Sequence, residues 1–140
     1  PPAALRPDQS SWLPNLHSCE RELHLGPGVA DLDTHALADG EVLDLPGAPA
    51  VIHIPGHTPG SVAFHFASVE AVCVGDAMTT GHVLTGAVGP QPAPFALDTE
   101  QARTSLDRLE AIPAKWVLPG HGGPWGEGVI EAVRLVREAA

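Results

Sequence analysis

Apolar and polar residues alternate along the middle of the chain. In "SVAFHFAS", Val62, Phe64 and Phe66 fall on one side and Ala63 and His65 on the other, the pattern of a half-buried strand. "APAVIHI" before it is rich in β-branched residues (Val51, Ile52, Ile54), and "EAVCVGD" after it is a short apolar run ending at Gly75-Asp76, so both predict strands. "HALADGEVLDLPG" predicts two short strands about a turn at Asp39-Gly40, and "KWVLPGHGGPW" a strand that runs into a tight turn. The spacing then changes. Ala102, Leu106, Leu109 and Ile112 recur at helical intervals in "TEQARTSLDRLEAI", with Asp98 or Thr99 as cap and Pro113 as stop. Val129, Val133 and Val136 mark one face of a terminal helix.

Between these elements, "AMTTGHVLTGAVGPQPAPFALD" predicts a loop longer than ordinary connections, as functional or lid loops are. Residues 1–38 read as an irregular, Pro-rich linker with a short helix around Trp12 to Leu25, and residues 39–140 as the folded domain. Strands followed by helices in this order predict an α/β (α+β) fold, a mixed β-sheet with flanking helices.

Composition narrows the function. The 140 residues, 44% hydrophobic and 17% charged, suffice for one domain with a real core. The net charge of −10, with no basic run among seven Lys and Arg, argues against nucleic acid as a partner. No apolar run approaches the ~18 residues of a membrane span. Cys19 and Cys73 make no disulfide framework, and Cys73, inside an apolar run, reads as a buried free thiol, so a cytoplasmic location is expected. The opening "PPAALRPDQSSWLP" reads as the middle of something, a fragment whose native start lies elsewhere.

Three polar residues share one setting. His57 in "PGHTPG", Asp76 in "VGDAM" and His121 in "PGHGG" each follow a predicted strand and are framed by Gly. If the strands lie in one sheet, their ends converge on one rim. Imidazole and carboxylate together suit zinc, or iron or manganese. Glycine admits close backbone approach and proline fixes φ, so the ligands need less ordering when metal binds. A Gly-Asp after a strand taken singly reads as a turn; two matching Pro-Gly-His turns far apart in sequence do not. Of the other histidines, His53 reads as packing and His65 as a strand-face residue. Thr79 and His82 are candidates for an outer-shell or substrate-contacting role.

These motifs resemble the carboxyl-terminal half of the metallo-β-lactamase-fold hydrolase superfamily, most of all a group of bacterial metal-dependent hydrolases. "PGHTPGS" is similar to its third metal motif, "GDAM" to its fourth and "VLPGHG" to its fifth. The resemblance implies that His57 binds one metal, His121 the second, and Asp76 bridges the two. It further implies half of an αββα sandwich, two zinc ions (Fe or Mn in some members) that activate water, and hydrolysis of a small-molecule ester, thioester or lactone. Lactamases of the commonest class carry Cys where Asp76 stands; lactonases carry Tyr where Thr79 stands. The family's His-x-His-x-Asp-His string, with its water-orienting Asp, is absent from the chain, and "LHSCERELH" lacks that spacing. The isolated chain is therefore expected to have little or no activity. Its exposed sheet face and edge are expected to seek a homo-oligomeric partner or a missing amino-terminal half. The alternative is a catalytically inactive truncated paralogue that serves as a binding or assembly module.

Overall fold

The computed structural model describes residues 36–139. Residues 1–35 of the expected linker, with the helix expected around Trp12 to Leu25 and Cys19, lie outside the described residues.

Four of the strands expected from apolar runs form one sheet: β1 (Ala50–His53), β2 (Val62–Phe66), β3 (Ala71–Gly75) and, after a long excursion, β6 (Trp116–Pro119), in spatial order β1-β2-β3-β6. β1 pairs antiparallel with β2, β2 antiparallel with β3, and β3 parallel with β6. Hence β1, β3 and β6 run in the same direction, and their carboxyl ends lie on one rim. The parallel β3–β6 pair requires a crossover. It is supplied by a hairpin, β4 (Thr79–Gly81) with β5 (Val88–Gln91), and by helix α1 (Thr99–Glu110). Helix α2 (Val129–Glu138) ends the described chain.

The period-two pattern sorts the two faces. Ala63, Val72 and Val117 are fully buried on one face, beneath Leu106 and Leu109 from α1 and Ala132, Val133 and Val136 from α2. The register places Phe64, Cys73 and Leu118 in a row on the other face, with Phe66, Ala71 and Trp116 beside it. Cys73 is free but only half-buried, because it points away from the helices; even so, desolvation pushes its thiol pKa up.

Two expectations are corrected. The long loop contains the β4–β5 hairpin; Gly81, Gly89 and Pro90 disguise its short strands as loop. Around Asp39-Gly40 the turn forms, but instead of two strands there is a single bridge, Val42 to Ala50. Pro46, Gly47 (φ 88°) and Ala48 (φ 41°) bend the chain before pairing can extend. Both outer edges are nevertheless blunted. Residues 40 and 41 exchange backbone hydrogen bonds with Val51 (2.8 and 2.7 Å), and Trp125 exchanges two of 2.9 Å with Val117. Among the described residues no helix is long and apolar enough to cross a membrane.

Candidate metal centre

His57 stands in a turn closed from both sides. Within it, Ile54 N–H donates to Ser61 O (2.9 Å), Gly56 N–H to Thr58 O (3.1 Å), and the Thr58 and Ser61 hydroxyls lie 2.9 Å apart. From outside, the start of α1 grips it. Asp98 N–H donates to Gly56 O (2.9 Å), Leu97 N–H to His57 O (3.2 Å), and the buried Ser105 hydroxyl to Pro55 O (2.6 Å). Gly56 is required here: φ is +137°, and a Cβ would stand 2.2 Å from Ala102 N. Asp98 also caps α1, accepting from Gln101 N–H at 2.8 Å.

Asp76 and His121 are held against each other by their loops. Gly120 N–H donates to Gly75 O (2.8 Å). On the other side β4 clamps the last motif. Thr80 N–H donates to His121 O (3.1 Å), the Thr79 hydroxyl is shared between His121 O (2.9 Å) and Gly81 O (2.8 Å), and the Thr80 hydroxyl donates to Gly123 O. Gly122 (φ +96°) leaves no room for a side chain, since a Cβ would meet Gly81 N at 2.3 Å.

The three motif residues converge. His57 Nε2 lies 3.6 Å from Asp76 Oδ2, and His121 Nε2 lies 3.7 Å from Asp76 Oδ1. Both gaps are too long for hydrogen bonds. They are near the separation of about 3.4 Å between two ligand atoms, each about 2.0–2.2 Å from a shared tetrahedral ion. Asp76 Oδ1 and His57 Nδ1 are buried without a hydrogen-bond partner, a costly arrangement unless something else satisfies them. The donor set and spacing therefore fit metal on either side of the carboxylate. No group of three or more His, Cys, Asp or Glu among the described residues gathers tightly enough to hold one ion alone. The arrangement is two His–carboxylate pairs sharing Asp76.

The remaining candidates have definite places. Thr79 is fully buried with its hydroxyl on the His121 carbonyl. His82 braces the hairpin tip: its Nδ1 accepts from Leu84 and Thr85 N–H, both at 3.3 Å. His53 Nε2 pairs with Leu37 O at 2.9 Å, and His65 Nε2 is buried without a partner on the helix-covered side of the sheet. Sequence reading missed Ser105, Thr80 and the Leu97 and Asp98 amides, whose partners lie some 40 or more residues away in the chain. No local pattern marks such long-range contacts.

The described residues form a mixed sheet with helices on one face and set an Asp between two histidines that follow strand ends. The family model described as the metallo-beta-lactamase superfamily matches residues 2–121, and the chain belongs to that superfamily, whose members generally bind metal ions. It is similar to proteins named hydroxyacylglutathione hydrolase from Hyphomonas neptunium (39% identical over 83 residues, 56% of this chain and 28% of the relative) and Ruegeria pomeroyi (32% over 115 residues, 79% and 38%). The chain thus spans well under half the length of these relatives. Among solved structures, a metallo-beta-lactamase family protein from Thermus thermophilus superposes with a TM-score of 0.53 at 27% identity, covering 73% of this chain and 34% of that one. A beta-lactamase domain protein from Burkholderia ambifaria (TM-score 0.56, 24% identity, covering 73% of this chain and 32% of that one) shares the fold.

Proposed function

We propose that this chain carries one half of a two-metal hydrolytic centre acting on a thioester or ester. The observation that carries the reading is Asp76, whose two oxygens each face a different imidazole. His57 would hold one ion, His121 the other, and Asp76 both; zinc suits this donor set best. Bound there, the ions supply Lewis-acid polarisation of the carbonyl and a water acidified for attack. The chain's own residues provide positioning. The α1 start and Ser105 fix the His57 turn, and Thr79 and Thr80 fix the backbone at His121. The relatives' name, a glutathione thioester hydrolase, favours thioesters over lactones as substrates.

Among the described residues each ion would have one His and a shared carboxylate, fewer ligands than a closed four-coordinate site needs. The chain alone is therefore expected to bind metal reversibly and to turn over slowly or not at all. The test is a Co²⁺ titration of the chelator-treated chain, read by visible absorption. Asp76→Ala should lose uptake on both sides, while His57→Ala and His121→Ala should each lose one. Equal uptake by Asp76→Ala and the parent would overturn the site. Turnover of a hydroxyacylglutathione thioester by the metal-loaded chain at rates typical of enzymes, ~1–10³ s⁻¹, would overturn the ligand count.

A further inference from the structure

A cavity of about 350 Å³ opens beside the centre, with Asp76 itself in its wall. Most of the remaining lining is apolar: Pro92, Ala93 and Ala96 from the segment before α1, Ala102 and Leu106 from α1, and Val136 from α2, with Thr99 and Arg103 as its polar members. The larger residues of that segment are turned out. Phe95 is 73% exposed and held at φ +66°, a strained conformation for an aromatic residue, and Leu97 is 70% exposed. The segment thus lines the space with alanine and proline and sends its bulky side chains to solvent. At about 350 Å³ the cavity is within the range of small-ligand sites, about 300–1,000 Å³.

Arg103 is the charged group that distinguishes this cavity from a packing defect. It lies on α1 in the cavity lining. Among the described residues Arg108, Arg134 and Arg137 each make ion pairs with Asp or Glu, but Arg103 makes none, even with Asp76 in the same wall. An unpaired guanidinium beside apolar walls, in a chain of net charge −10, is a ready anchor for an anion.

We propose that this cavity binds the acyl part of the substrate, and that the acyl chain ends in a carboxylate held by Arg103. This rests on the hydrolase reading above and sharpens it: the substrate has a scissile carbonyl at Asp76 and a carboxylate at the far end of a short apolar chain. Arg103 is then a specificity residue.

The experiment uses the whole chain with EDTA present, so that no carboxylate can bind a metal. Hexanoate and its neutral counterpart hexanamide are titrated into isotope-labelled protein, and backbone amide shifts are followed. Hexanoate is expected to give saturable shifts at Ala77, Ala93, Ala96 and Ala102, with affinity at least tenfold above hexanamide. Arg103→Gln should reduce hexanoate binding to the hexanamide level without changing hexanamide, and Arg103→Lys should retain part of the preference. Equal binding of the two probes, no effect of Arg103→Gln, shifts centred elsewhere, or no saturable shift would each overturn the proposal. Because no metal is present, its failure is separate from that of the hydrolase reading, which the Co²⁺ titration decides.

Discussion

An alanine methyl at position 120 would come within 2.5 Å of Asp76 Oδ1. The neighbour it strikes is the carboxylate itself, which has to rotate or retreat. Gly120→Ala is therefore expected to lower metal affinity about 10–100-fold, as disturbed outer contacts of a metal ligand do. The fold should survive, because the strain is relieved by moving one partly exposed side chain. Isothermal titration with Zn²⁺ beside thermal unfolding separates the two effects; unchanged affinity would remove Gly120 from the site. Gly56→Ala should behave oppositely. Its Cβ strikes backbone of α1, at a φ that L-residues rarely adopt, so about 2–4 kcal/mol of stability should be lost. Denaturant unfolding reads that difference.

At the scale of elements, the site depends on α1 meeting the turn that follows β1. Ser105 is buried, and its hydroxyl satisfies the Pro55 carbonyl. Ser105→Ala leaves that carbonyl unpaired, with an expected loss of about 1–3 kcal/mol. Metal uptake through His57 should weaken more than uptake through His121, which a Co²⁺ titration in the His121→Ala and His57→Ala backgrounds resolves. Asp39 ties the segment before β1 to the same helix: it pairs with Arg108 at 2.6 Å and accepts from His53 N–H at 2.8 Å. The Arg108 hydrogen bond and then that from His53 hold its carboxyl below the usual carboxylate range. Because the folded value is depressed, the contribution is present above the unfolded value of about 3.9 and disappears as pH falls through the lower folded value. Asp39→Asn should therefore narrow the gap between melting temperatures at pH 7 and pH 3; an unchanged gap would show that the pair is too exposed to matter. Much of this level was legible in the sequence. Alternation marked β2, β-branched and apolar runs marked β1 and β3, the helical spacing of Ala102, Leu106 and Leu109 marked α1, and Gly-framed strand ends marked His57, Asp76 and His121. The β4–β5 hairpin was not legible, because its strands are three and four residues long and contain Gly81, Gly89 and Pro90. The contacts of Ser105 and Thr80 were not legible either, since pairing across the fold leaves no local pattern.

For the whole molecule, the two faces of the sheet differ. Beneath the helices Val72 and Val117 are fully buried, whereas on the other face Trp116 is 43% and Leu118 37% exposed, with Phe64, Phe66 and Cys73 half-buried alongside. The edges offer less to a partner, because residues 40–42 and Trp125 already bridge them. Association should therefore proceed face to face, driven by apolar area at roughly 25 cal/mol per Å² removed from water. Sedimentation velocity on the chain is expected to show the sedimentation coefficient rising with concentration. Leu118→Lys should shift the chain toward monomer, with helix and sheet content by circular dichroism unchanged. Leu118 suits the test because its side chain lies on the open face while its strand neighbour Val117 carries the core contact. A chain monomeric at every concentration would mean that the half-buried aromatic residues shield this face well enough. Persistent association of Leu118→Lys would move the contact elsewhere, with exposed Val88, Phe95 and Leu97 as the next residues to change.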